Sequence, residues 1–441
     1  MTHPPYPDYK DSGVEWLGEV PEHWDAAPLW TLFRRTKRTG FPEEELLSVY
    51  RDYGVVPKAS RDDNFNNASE DLTAYQLVEP GCLAINKMKA WQGSVGISRY
   101  RGIVSPAYFI YEPLHGFSSE YLHYLLRSPE YAAAYMMVSK GIRVNQWDLD
   151  PQYHSRLPVL LPPKAEQSAI AAFLDRETAK IDALVTEQEK LIARLKEKRQ
   201  AVISHAVTKG LEPSIPMKDS GIEWLGEVPA HWDVVPVKRL VTVATSGPRG
   251  WSDLAGDEGA AFFQSQHIGY AMNVALDDPK RLIPPVDADA ERARLQPDDV
   301  VICITGGRTG AVAHVPEDVE EAYINQHVCL LRPQKNVSGR LLAYSLFSSV
   351  LQEQLGCASY GLKQGLGLDQ VRSVIMARPP TKAEQMAIVA HLDAQTAKFD
   401  TLTAEAIRAI ELLKEHRSAL ISAAVTGKID VRGLISPQEA A

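Results

Sequence analysis

Two stretches of the chain carry the same hydrophobic pattern. From 164 to 209 no Gly or Pro interrupts a run dominated by Ala, Glu, Lys, Arg, Leu and Gln, and Leu174, Ile181, Gln188, Leu195 and Val202 fall every seven residues. Leu184 and Leu191 stand three residues behind two of these positions. The frame recurs at Leu392, Phe399, Ala406, Leu413 and Leu420, joined by Leu402 and Ile410. Each stretch follows a proline pair, Pro162-Pro163 or Pro379-Pro380, and stops at Gly210 or Gly427. Proline suits a first helical turn and glycine a C-terminal cap. The pattern predicts helices over 164–209 and 383–426, each roughly 65–70 Å long at about 1.5 Å per residue. Two matched apolar stripes predict that the helices pack on each other as a coiled-coil-like pair, although charged Glu177 and Lys198 leave the heptad imperfect.

The helices belong to a larger duplication. KDSGVEWLGEVPEHW at 10–24 returns as KDSGIEWLGEVPAHW at 218–232, an offset of 208. KAEQ at 164–167 returns at 382–385, and AVISHAVT at 201–208 matches ALISAAVT at 419–426, both at an offset of 218. The block between the repeated parts is therefore ten residues longer in the second half, and almost unrelated in sequence to the first. Short apolar runs at 82–85, 108–111, 300–304 and 327–331, bounded by Gly or Pro, predict strands; 119–137 and 339–355 predict helices. The fold class is α+β, with two globular blocks on a pseudo-twofold helical frame. The segments are 1–24, a first block 25–155, a long helix 156–210, a linker 211–232, a second block 233–376, a second long helix 377–430 and a tail 431–441.

Charge and chemistry narrow the function. A length of 441 residues favours several domains, and 45% apolar with 23% charged residues is an ordinary globular composition. The net charge of −9 argues against gripping nucleic acid through bulk positive charge. Cys82, Cys303, Cys329 and Cys357 are too scattered for metal pairs and too few for a disulfide framework, which points to a reducing, cytoplasmic setting. No secretory leader pattern opens the chain and no apolar run could span a bilayer. Thr305 to Gly310 lacks the lysine and spacing of a phosphate loop and reads as a tight turn; Ser105 to Tyr108 misses an amino-methyltransferase loop at two of four positions and reads as a strand start. No metal-ligand spacing occurs among twelve histidines, and no nucleophile elbow is present. The chain is expected to carry no catalytic residues, metal or cofactor.

Side chains suited to base edges cluster beside glycines. The first block offers Lys87, Lys89 and Gln92 around Trp91, then Arg143, Asn145 and Gln146; the second offers Gln264, Gln266, Arg308, Thr309, Asn325, Gln326, Lys363 and Gln364. Arg and Lys match guanine, and Asn and Gln match adenine. Taken singly, such residues are ordinary surface-loop composition, and Trp91 reads as packed rather than stacked on a base.

A duplicated K-D-S-G-x-E-W-L-G-E-x-P-x-H-W segment, a divergent block, and P-P-x-x-E-Q-x-x-I-x-x-x-L-D opening a long helix together resemble the specificity (S) subunits of type I restriction-modification enzymes. The second motif stands at Pro162-Pro163, Glu166-Gln167, Ile170 and Leu174-Asp175, and again at Pro379-Pro380, Glu384-Gln385, Ile388 and Leu392-Asp393, one residue longer after the proline pair. The resemblance spans nearly the whole chain. It implies two target-recognition domains, each reading half of a bipartite asymmetric sequence in double-stranded DNA, separated by an antiparallel helix pair. It also implies two methylation (M) subunits as partners, with restriction (R) subunits as optional further ones. S-adenosylmethionine would then sit on the M subunit, and ATP and Mg on the R subunit. The helix-seam and partner-helix residues would be Leu174, Ile181, Leu184, Leu191, Leu195, Val202, Leu392, Phe399, Leu402, Leu413 and Leu420. The alternative is a coiled-coil protein-interaction scaffold that reads no DNA sequence.

Overall fold

Uninterrupted helix formers between a proline pair and a glycine produce helices of the expected length: a first long helix, Lys164–Lys209, and a second, Lys382–Val425. Gly210 and Gly427 end them with φ of 78° and 73°, the left-handed cap that other residues adopt only under strain. The computed structural model describes residues 4–61, 68–143, 146–358 and 365–435. It divides into one unit of Met1–Gln188 with Arg408–Ala441 and another of Glu189–Ile407, so each unit owns part of both long helices.

Unit 1 is built on an antiparallel sheet of β1 (Phe33–Thr36), β2 (Leu83–Asn86), β3 (Val95–Ile97) and β4 (Tyr108–Pro113), in the order β1-β4-β2-β3. Central β2 is buried at Leu83, Ala84 and Ile85, which explains its continuous apolar run. Helices α1 (Ser119–Leu125) and α2 (Pro129–Met137) cover it. The 119–137 stretch breaks into two because Pro129 has no N–H to continue α1 and begins a new first turn. Ser118 caps α1 by accepting from the Tyr121 N–H at 3.2 Å.

Unit 2 repeats this plan with β5 (Val241–Ser246), β6 (Val300–Cys303), β7 (Val312–His314) and β8 (Val328–Pro333), ordered β5-β8-β6-β7, and with α3 (Gly339–Phe347) and α4 (Ser349–Ala358). Ser338 caps α3 as Ser118 caps α1, and the 339–355 stretch also breaks, at Ser348. A further three-stranded sheet, with Ala260–Phe263 parallel to Ala322–Ile324, has its own core around Phe262, Phe263 and Ile324. Two blocks with almost unrelated sequences thus share one sheet order, since a buried strand needs apolar side chains rather than particular ones.

The long helices run antiparallel inside each unit. In unit 1, Ile170, Leu174 and Ile181 near the start of the first helix share a core with Leu420, Ala424 and Val425 near the end of the second. In unit 2, Ile203, Ala206 and Val207 share one with Ile388, Val389 and Leu392. Asp182 pairs with Arg417 at 3.1 Å in unit 1, and Arg199 with Asp400 at 3.8 Å in unit 2; these two ion pairs are mates under the 218-residue offset. Of the expected seam, Leu174, Ile181, Leu195, Leu392 and Leu420 are buried, and Val202, Phe399 and Leu413 are half-buried. Leu184, Leu191 and Leu402 instead stand 52%, 42% and 46% exposed. A residue three places on is rotated about 60° backwards around the helix, onto a flank that the partner helix does not reach.

Candidate functional site

The duplicated motifs meet in space. Each Trp-containing repeat is a short hairpin, Tyr9–Asp11 with Glu19–Pro21 and Met217–Asp219 with Glu227–Pro229, turned by glycines at positive φ. In unit 1 the Glu166 carboxylate accepts from Trp24 Nε1 at 2.9 Å, from the Tyr6 hydroxyl, and pairs with His23 Nε2 at 2.8 Å. Gln167 accepts from the Ser118 N–H at 3.0 Å and donates to the Pro162 carbonyl at 2.8 Å. The Tyr124 hydroxyl of α1 donates to Asp175 at 2.6 Å.

Unit 2 repeats these contacts except that of Tyr6, whose place under the 208-residue offset is taken by Ser214. Trp232 Nε1 donates to Glu384 at 2.8 Å and His231 lies 3.1 Å from the same carboxylate. Gln385 accepts from the Ser338 N–H at 2.9 Å and donates to the Pro379 carbonyl at 3.0 Å. The Tyr344 hydroxyl donates to Asp393 at 2.6 Å. Burial and the neighbouring carboxylate push both tyrosines up to about 12. The E-Q…L-D motif is therefore a clamp that fastens the repeat hairpin and the sheet-covering helix onto the root of a long helix. His23 and His231, inside the duplicated segment, thus serve to hold the clamp.

Loop chemistry differs between the units on equivalent strand connections. In unit 1 the β2–β3 loop closes at Gly93 (φ 85°) and exposes Lys89 and Gln92, with Trp91 half-buried. Lys87 pairs with Asp148 at 3.6 Å, and its carbonyl accepts from the Leu149 N–H at 3.0 Å, tying the loop to the Ser139–Arg143/Gln146–Leu149 hairpin. Arg143 and Gln146 belong to the strands of that hairpin; Asn145, like Lys363 and Gln364, lies outside the described residues.

In unit 2 the β6–β7 loop closes at Gly310 (φ 91°) and brings the candidates together. Arg308 Nη1 donates to the carbonyls of Ser265 and Gln266 at 3.2 and 3.3 Å, and its guanidinium lies 4.8 Å from the Tyr270 ring centroid. Thr309 turns inward to the Gly306 carbonyl at 2.7 Å. His327 binds the Thr305 hydroxyl at 2.5 Å and lies 3.3 Å from Gln326 Nε2. Gln264 caps the Ser265–His267 turn and Gln266 is exposed. Asn325 is buried and accepts from the His327 N–H at 3.1 Å, a turn-holding role rather than an exposed one. Among the described residues no group of His, Cys, Asp or Glu able to hold a metal occurs, and no helix is long and apolar enough to cross a membrane.

No family model matches the chain. It is 22% identical to the specificity subunit of the type I restriction enzyme EcoKI of Escherichia coli (strain K12), across 93% of this chain and 90% of that protein. It is 21% identical to the StySPI specificity subunit of Salmonella potsdam across the same shares. Over nearly its whole length the chain is thus similar to type I restriction-modification specificity subunits. A chain from a solved type I restriction-modification system has the same fold, with a TM-score of 0.69 over 92% of this chain and 98% of that one at 15% identity. The relatives it resembles are the non-catalytic subunits of their enzymes. Sequence reasoning missed Tyr270, 88% exposed beside Arg308; an aromatic after Gly269 in a turn-rich stretch was the available signal.

Proposed function

We propose that the chain directs a type I restriction-modification complex to a bipartite, asymmetric DNA sequence, with 25–155 reading one half and 233–376 the other. The observation that carries this reading is one sheet plan bearing different loop chemistry, Lys89 and Gln92 in one unit against Gln266, Arg308 and Gln326 in the other, on clamps that share the same Trp, His, Glu, Gln and Asp. Divergent readers suit unlike half-sites, while a repeated frame suits two copies of one partner. The repeated helices space the readers and bind two M subunits. Leu184 and Leu402, related by the 218-residue offset, are both half-exposed and so offer the same apolar patch twice. S-adenosylmethionine belongs on the M subunit, and ATP with Mg on an R subunit where one joins. With a net charge of −9 the chain meets base edges while its partners supply most phosphate contacts.

Methylated-base mapping of DNA modified by the complex tests this directly. A split, asymmetric adenine-methylated sequence is expected; a continuous sequence, or none, refutes the reading. Gln326→Ala should relax one half-site and leave the other intact. Leu184→Ser with Leu402→Ser should leave the chain folded but lower the number of M subunits bound, read by native mass spectrometry; full assembly would remove the helix flank from the interface.

A further inference from the structure

The β6–β7 loop of unit 2 is built to hold one charged side chain still. Gly310 N–H donates to the Cys303 carbonyl at 2.8 Å, Ala311 N–H to the Arg308 carbonyl at 2.9 Å, and Gln352 Nε2 to the Gly310 carbonyl at 2.9 Å. These bonds fix the backbone on both sides of Arg308. The guanidinium is held as well: Nη1 donates to the Ser265 and Gln266 carbonyls, and its carbon lies 4.8 Å from the Tyr270 ring centroid. Holding a cation over an aromatic face and against two carbonyl oxygens favours its charged, oriented form.

The rest of the group is unused. Among the described residues Arg308 pairs with no carboxylate, whereas Arg281, Arg292, Arg294, Arg332, Arg340 and Arg378 in the same unit each do. With Nη1 occupied, the donors that remain are Nε–H and Nη2, which form a side-on fork. Beside it, Gly306 and Gly307 are bare: a Cβ on either would meet nothing within 4 Å. Tyr270 is left 88% exposed, an unusual place for a large ring unless something covers it. A rigid two-donor fork next to a side-chain-free surface suits two adjacent acceptors on a flat edge. In the major groove only guanine offers that pair, O6 with N7; adenine sets a donor beside its acceptor, and cytosine and thymine offer no such pair.

We propose that Arg308 reads a guanine in the half-site addressed by unit 2, and that Tyr270 is the positioning residue that sets the plane of its guanidinium. This rests on the DNA-reading function proposed above, and the test separates the two. The full complex carrying wild-type chain, Arg308→Ala, Arg308→Lys, Tyr270→Ala or Tyr270→Phe is allowed to modify DNA, and methylated bases are mapped. Wild type should give a bipartite sequence with a guanine in the half-site altered by Gln326→Ala. Both Arg308 variants should relax that one base pair, with discrimination falling roughly 5- to 150-fold, and leave the other half-site unchanged. The lysine variant keeps the charge without the fork, so it separates base reading from simple attraction. Tyr270→Ala should relax the same position partially, and Tyr270→Phe should restore it, which a fold defect would not do. A bipartite wild-type sequence with no effect of Arg308→Lys, or with methylation lowered evenly on all sequences, overturns this assignment alone and makes Arg308 a phosphate contact or a fold element. A wild-type sequence that is not bipartite overturns both readings.

Discussion

Glu166 and Glu384 occupy equivalent places in the two clamps, yet their surroundings differ enough to predict unequal costs of removal. The Glu166 side chain is 4% exposed and Glu384 28%. Glu166→Ala strands two buried donors, the Trp24 indole at 1% exposure and the Tyr6 hydroxyl at 3%, while half-exposed His23 can turn to water. At about 1.5–3 kcal/mol for each hydrogen bond to a charged acceptor, the loss is roughly 3–6 kcal/mol. Glu384→Ala strands only Trp232, and water can reach the vacated position, so its loss is about 1–2 kcal/mol. Native-state hydrogen exchange followed by mass spectrometry reads the two hairpins separately, through peptides covering 19–24 and 227–232. The expected result is faster opening of 19–24 in Glu166→Ala, exceeding by roughly 5-fold or more the change at 227–232 in Glu384→Ala. Equal effects, or unchanged protection of 19–24, would show that packing of the indole rather than the carboxylate holds the hairpin.

Two further outcomes concern a helix cap and a buried histidine. Gly427→Ala should destabilise more than Gly210→Ala: both glycines have positive φ, worth about 1–2 kcal/mol against an L side chain, but a Cβ at 427 presses into the Pro21 ring whereas one at 210 meets Trp232 at an ordinary 3.4 Å. Urea midpoints of the two variants check the order. Burial holds His154 neutral by lowering its pKa from 6.5 to about 3. The unfolded chain therefore binds the extra proton, and the stability from this group is complete above about pH 6.5 and lost as pH falls towards 3, with a slope approaching 1.4 kcal/mol per pH unit. Unfolding midpoints between pH 7 and 5 should show roughly 2 kcal/mol less acid loss in His154→Gln than in wild type.

Much of the frame can be read along the chain because its signals are local or repeated. Proline pairs, capping glycines and a seven-residue apolar spacing act within a few turns, and the matched copies at 10–24 and 218–232 are visible without any fold. The partnership between the two motifs is not visible, because Trp24 and Glu166 lie 142 residues apart and meet only when the helix root and the hairpin pack. The common sheet plan of the two blocks is hidden for another reason: burial selects for apolarity and leaves residue identity free, so β2 and β6 share a place without sharing a sequence. Helical spacing alone likewise assigned Leu184, Leu191 and Leu402 to the seam, since it gives the angle of a side chain around its own axis but not which arc the neighbour covers. Loop chemistry depends most on tertiary contacts. Gln266, Arg308, Asn325 and Gln326 have the same polar character in the sequence, and their backbone and ring partners make one a turn support and another a clamped, half-free fork.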